Sequence, residues 1–207
     1  MFRAEMLNGL IAEKLRAKLG AVVIGRQIIV LEQTGSTNDA ILQVATSDLN
    51  EGLVLFAEHQ TDGRGQRGNR WESAAGKGLW FSMLLRPEIN LASSPQLTTW
   101  AAEAISGAIG NEFPLTPIIK PPNDVQIGGS KVAGVLVEMR AQKNAPHLAI
   151  AGVGVNVNQS CDDFPKELQS RAISLAMALG KQVDRQKFAI ALLRNLDRTY
   201  RELFGKN

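Results

Sequence analysis

Five glycines and three arginines crowd residues 62–78 of this 207-residue chain, DGRGQRGNRWESAAGKG. Gly63, Gly65, Gly68, Gly76 and Gly78 let backbone amides approach a ligand closely, and Arg64, Arg67 and Arg70 supply fixed positive charge. Such a loop suits a phosphate, or a carboxylate undergoing activation, because charge-assisted hydrogen bonds are stronger than neutral ones. Taken alone, it suits a linker or an RGG-like RNA-binding patch equally well. A Walker A loop is excluded, since no Gly-Lys-Ser/Thr follows at the required spacing.

Three further segments carry polar groups in ordered settings. Lys120-Pro121-Pro122-Asn123-Asp124 places a lysine at a strand end beside two prolines of fixed φ, which preorganises its charge. In isolation an edge-strand lysine before a turn is the better reading. GVGVNVN, residues 152–158, alternates glycine, valine and asparagine along a strand, which lets a ligand or another backbone pack close or simply marks a bulged strand. Ser36-Thr37-Asn38-Asp39 precedes the apolar run AILQVA, and Ser36 with Asp39 three residues later predicts a capping arrangement at a helix start.

The elements that must hold these groups follow from periodicity. Leu7, Leu10, Ile11, Leu15 and Leu19 recur at helical spacing, and Gly20 ends that helix. QIIVLEQT (27–34), LVLFAEHQT (53–61), GLWFSMLLRP (78–87) and HLAIAGVGVNVN (147–158) read as strands. A helix is expected from about Pro95 to Phe113, a hairpin over 118–140 turning at Gly128-Gly129, and an amphipathic helix from Asp184 onward. This order predicts an α+β (α/β) domain, a single mixed sheet flanked by helices, spanning 1–207 without repeats or a linker.

Composition excludes several classes. Hydrophobic residues are 44% and charged residues 21%, as in ordinary globular proteins, and the net charge of +3 is scattered except in the glycine-rich loop. The lone Cys161 forbids an intrachain disulfide. His59, His147 and Cys161 match no zinc spacing, so no protein-held metal site is expected. The N-terminal stretch is charged throughout and no apolar run reaches 18 residues, which predicts neither leader nor membrane span and a cytoplasmic setting.

STND, QTDGRGQRGNRW, GKGLWFSMLLRP, KPPNDVQIGGSKVAGVLVE and GVGVNVN, in that order and covering about residues 27–158, closely resemble the catalytic domain of biotin–protein ligases. The resemblance implies the fold shared by class II aminoacyl-tRNA synthetases and biotin synthetase-like enzymes. It implies an ATP-dependent ligase that makes biotinyl-5'-AMP, with Mg²⁺, and passes the biotin to a lysine of a biotin carboxyl carrier protein, usually the carrier domain of acetyl-CoA carboxylase. Residue by residue, Ser36, Thr37 and Asn38 fall where the family binds the ureido end of biotin, and Gln60 at a biotin-contacting position. Arg64, with Gly63 and the backbone of Gly65, falls where the biotin carboxylate and then the adenylate phosphate are held. Trp71 falls near the adenine and Trp80 at the biotin wall. Lys120 matches the lysine that meets the reacting carboxylate and phosphate, and with Arg64 is the expected catalytic pair. Asn123, Asp124, Lys131 and Asn156 fall at or near the nucleotide.

The chain departs from the family pattern in places. Gln66 stands where a second arginine is common, and losing a charged hydrogen bond costs about 1.5–3 kcal/mol; Arg67, one residue on, is the expected substitute. Pro121 stands where a tryptophan commonly follows the lysine. A minimal enzyme is expected, without the C-terminal β-barrel of many relatives. The roughly 26 residues before the first strand hold one helix, too few for a helix-turn-helix, so no DNA binding is expected. Lipoate or octanoate chemistry within the same superfamily, and an RNA-binding module built on GRGQRGNR, stay open as alternatives. A sheet edge would serve the carrier or a homodimer equally.

Overall fold

The computed structural model describes residues 9–45, 51–141 and 147–205. Helix α1 (Ala12–Leu19) buries Leu15 and Leu19 and stops at Gly20, whose φ of 77° only glycine adopts easily. The start expected at Leu7 lies outside the described residues.

The chain then lays down β1 (Gln27–Thr34), crosses over through α2 (Thr37–Val44), and returns as β2 (Leu53–Gln60), parallel to β1. After the glycine-rich loop come β3 (Leu79–Leu85) and α3 (Ser94–Glu112). The expected hairpin is present as β5 (Asp124–Ile127) and β6 (Ser130–Arg140), turning at Gly128 and Gly129, both with positive φ. A short β4 (Ile118–Lys120), reached before a cis Pro121–Pro122 peptide, adds a further antiparallel partner to β5. Strand β7 (Leu148–Val155) follows, then a five-residue helix α4 (Leu175–Leu179) that periodicity did not signal, and α5 (Arg185–Phe204). Asp184 caps α5, its carboxylate accepting the Lys187 amide at 2.9 Å.

These strands make one seven-stranded mixed sheet in the order β1-β2-β3-β7-β6-β5-β4. Alternation sorts its residues by face. Phe56, Phe81, Met83, Ala151, Val153 and Val135 point to a core roofed by α3 and α5. Leu55, Leu84 and Ile150 point to the other face, where they meet Ile41 of α2. Each such Val, Leu, Ile, Met or Phe side chain contributes roughly 1.5–3 kcal/mol by leaving water. Trp100 of α3 packs against Tyr200 and Phe204 of α5 with ring centroids 5.3 and 5.9 Å apart.

One buried charge pair ties α5 to the sheet. Arg185 Nη2 lies 2.5 Å from Glu58 Oε2, with both side chains 5% exposed or less. Arg185 also donates to the carbonyls of Gly76 and Gly78, and Glu58 Oε1 accepts the Leu10 amide at 2.7 Å. The far end of the glycine-rich loop, β2, α5 and the N-terminal segment therefore share one knot. Removing one member strands a buried charge, so Arg185→Ala is expected to lower unfolding stability by about 3–5 kcal/mol in urea titration.

Candidate active-site cleft

Alternation along the sheet clears a floor on the α2 face. In register across β3, β7 and β6 lie Trp80, Gly154 and Gly134, and in the next row Ser82, Gly152 and Leu136. A Cβ on Gly152 would fall on Asn38 Oδ1, and a Cβ on Gly154 would fall on the Trp71 indole. Bare backbone at these two positions lets α2 and the glycine-rich loop lie directly on the sheet.

Helix α2 brings its first residues to this floor. Ser36, Thr37 and Asn38 are all buried. The Thr37 amide donates to Gln60 Oε1 at 2.8 Å, so the end of β2 satisfies a free N–H of the first turn. The expected capping box is absent, because the Ser36 side chain makes no cap hydrogen bond. Asp39 is instead drawn to the stronger partner, a bidentate pair with Arg64 at 2.9 and 2.8 Å.

The glycine-rich loop is a closed structure. Trp71 N donates to the Gly63 carbonyl at 2.8 Å, Gly65 N to the Asn69 carbonyl at 2.7 Å, and Arg70 Nη2 to the Thr61 carbonyl at 3.0 Å. Its tip is a 3-10 turn, Gln66–Gly68, with Arg67 in the left-handed region at φ 58°. The loop lays Trp71 over the floor, edge-on to Trp80 at 6.0 Å between centroids, with the Lys131 ammonium 5.1 Å from its ring.

The resulting cleft, about 440 Å³ with its open mouth, is lined by Ser36, Thr37, Asn38 and Gln60. Arg64, Gly65, Gln66 and Trp71 enter from the loop, and Asn123 and Lys131 from the β5–β6 side. Leu136 lines it from the same face of β6, while Val135 and Val153 border it only as neighbours along their strands, their side chains facing the α3–α5 core. Ten of the residues the sequence singles out thus converge on one cavity.

Six others sit elsewhere. Trp80 is fully buried under the floor, and Gly63 pins the root of the loop. Arg67 is not among the lining residues, whereas Gln66 is. Lys120 is exposed at the end of β4, paired through its backbone register with Asp124. Asp124 holds Lys131 Nζ at 2.7 Å. Asn156 braces the site from behind, donating to the carbonyls of Lys131 and Ile173 and accepting from Gln159.

Two participants escaped the sequence reading. Glu138 accepts from Asn38 Nδ2 at 2.6 Å and from Arg64 Nη2 at 3.2 Å. Ser82 lies within 2.8 Å of Thr37 Oγ1 and 2.6 Å of Asn38 Oδ1. The signal was available in the alternation of GVLVE, which puts Gly134, Leu136 and Glu138 on one face. Around Arg64, partial burial acts to lower the guanidinium pKa, but its hydrogen bonds to Asp39 and the charges of Glu138 and Asp39 outweigh it and hold the pKa above its ordinary value. The arginine is a permanent cation under two carboxylates.

The fold agrees with known proteins. Residues 30–156 match the model of the Biotin/lipoate A/B protein ligase family. The chain is 37% identical over 189 residues to the bifunctional ligase/repressor BirA of Bacillus subtilis strain 168, covering 91% of this chain and 58% of that protein. It is 35% identical to the biotin–[acetyl-CoA-carboxylase] ligase of Mycobacterium tuberculosis, over 86% of this chain and 66% of that one. The biotin protein ligase from Aquifex aeolicus, solved in complex with biotin and ATP, superposes with a TM-score of 0.73 at 31% identity, over 88% of this chain and 73% of that one. The chain therefore belongs to the Biotin/lipoate A/B protein ligase family, and its sheet and flanking helices are the fold of the biotin protein ligases. It spans 58% of the length of the two Bacillus BirA relatives it matches.

The contact between floor and loop is directly testable. Gly154→Ala is expected to displace Trp71, changing its fluorescence emission and costing about 1–3 kcal/mol of stability. The emission change should vanish in a Trp71→Phe background.

Proposed function

We propose that this chain activates biotin with ATP to biotinyl-5'-AMP and passes the biotinyl group to a lysine of a biotin carboxyl carrier protein. The observation that carries the reading is one cleft combining an uncharged hydrogen-bonding cluster, Thr37, Asn38 and Gln60, with apolar wall and the cation Arg64. A ureido ring uses that polar cluster, whereas the dithiolane of lipoate has no polar atom to match it. The glycine-rich loop closes on its own cleft, which favours a small-molecule site over an RNA surface.

In the first step a biotin carboxylate oxygen attacks the α-phosphorus, forming a C–O–P link as the bond to pyrophosphate breaks. Arg64 and Lys120 stabilise the charge on the reacting oxygens, a preorganised electrostatic role with no covalent enzyme intermediate. Lys131, which lines the cleft under Trp71, joins them at the nucleotide. In the second step the carrier's neutral lysine amine attacks the anhydride carbonyl, an amide C–N bond forms, and AMP leaves. The Trp71 loop, packed on Gly154, shields the anhydride from water.

Mg²⁺ enters this reading on the ATP phosphates, where it would offset their charge. The described residues hold no group of three or more His, Cys, Asp or Glu side chains able to bind a metal, so the nucleotide would supply most of its ligands. No described helix is long and apolar enough to cross a membrane. We place the reaction in the cytoplasm, where ATP is available, with the acetyl-CoA carboxylase carrier domain as acceptor and a homodimer as a candidate assembly.

Purified protein is expected to catalyse biotin-dependent ATP–pyrophosphate exchange. Arg64→Ala and Lys120→Ala should each reduce it by roughly 100-fold or more. Lys131→Ala in the same assay decides which lysine carries the greater share. Exchange with lipoate but not biotin overturns the substrate; no exchange with either overturns the enzyme. Gln66→Arg is expected to slow release of the anionic adenylate about 10-fold or more, read as reduced acceptor-independent ATP consumption.

A further inference from the structure

A chain of hydrogen bonds, buried at its centre and partly exposed at both ends, runs from Glu138 to Gln60 beneath the polar part of the cleft, and Glu138 is its only member that is charged. The first link is Asn38 Nδ2 to Glu138 Oε2 at 2.6 Å. A carboxylate can only accept, so the amide N–H half of Asn38 is turned toward it. The carbonyl half, Oδ1, then faces Ser82 Oγ at 2.6 Å. A carbonyl also can only accept, so the single Ser82 proton is committed to Asn38.

Ser82 Oγ is 2.8 Å from Thr37 Oγ1 and has only lone pairs left to offer it. The Thr37 proton is drawn there, the shorter of its two contacts, the other being Gln60 Oε1 at 3.1 Å. Either way that proton is consumed within the chain. Gln60 Oε1 is held by the Thr37 amide at 2.8 Å, which leaves Nε2, the donor half, outside the chain. Asn38 is 3% and Ser82 0% exposed, so a reversed link leaves a buried polar atom unmatched.

We infer that Glu138 is a positioning residue that sets the direction of proton donation along this relay. It thereby makes Thr37 Oγ1 present an acceptor, beside the donor that the Thr37 backbone amide independently fixes at Gln60 Nε2. That pair complements a ligand edge in which an N–H adjoins a C=O, as in a urea or a cis amide. The inference rests on the biotin reading, and it adds that selectivity among ring head groups originates in a carboxylate on β6.

Glu138→Gln keeps the shape but can donate or accept toward Asn38, so the direction is no longer imposed. Titration calorimetry with biotin and with 2-iminobiotin, whose carbonyl oxygen is replaced by nitrogen, tests this. The wild type should prefer biotin; Glu138→Gln should raise the biotin Kd roughly 5- to 100-fold and narrow the ratio between the two ligands. Ser82→Ala breaks the same relay one step on and should give the same two changes. The double variant should be no weaker than the weaker single one, since both act through one chain. Should Glu138→Gln fail to fold, Ser82→Ala carries both readouts alone. An unchanged biotin-to-iminobiotin ratio in the folded variants overturns the inference, whatever happens to the Kd or the thermal midpoint. A wild type that binds no biotin overturns the functional reading itself and is thereby distinguished.

Discussion

Asn38 and Trp71 lie directly on the main chain of β7 because Gly152 and Gly154 have no Cβ to hold them off. The close approach of helix and loop to the sheet depends on those two missing atoms. With a methyl group at either position, the start of α2 or the glycine-rich loop would be lifted, and the cleft would lose its polar lining or its roof. The alternation of the strand does the rest, since the intervening Val153 and Val155 face the α3–α5 core and anchor the same strand from below. One strand therefore serves as core on one face and as ligand floor on the other.

Two charge clusters then fix what moves against what. Glu58 and Arg185 are buried and tied to backbone carbonyls, so the outgoing end of the glycine-rich loop is fastened to α5. Arg64, by contrast, is about two-fifths exposed, and its pairs with Asp39 and Glu138 are screened by water and cheap to exchange. The same loop is thus rigid at its far root and exchangeable at its cationic near end. That division suits a site in which an anionic substrate must take over an arginine that carboxylates of the protein otherwise hold.

Much of this was legible without coordinates. The strands, the hairpin at Gly128-Gly129 and the helix closed by Gly20 follow from period and turn chemistry, and the family resemblance implied that STN, Gln60, Arg64 and Trp71 share one site. The capping box at Ser36 was misread because local spacing cannot register a competing arginine 25 residues away, and that arginine wins Asp39 by charge. Helix α4 is five residues long, too short for periodicity to stand out. Trp80 as floor rather than open wall, and Asn156 as a brace behind Lys131, depend on which strand lies beside which.

The amino-acid sequence by itself determined most of the elements and their order, which depend on neighbours along the chain, and its motifs in order carried the resemblance to the family. Only the tertiary structure decided that Glu138, 100 residues beyond Asn38, turns its amide, and that Lys131 rather than Lys120 lines the cleft. Those outcomes depend on the register of β6 beside β7 and on the loop folding back over both. Hydrogen-bond direction and charge pairing act over a few ångströms in space, and nothing in residue spacing specifies which distant groups come within that range.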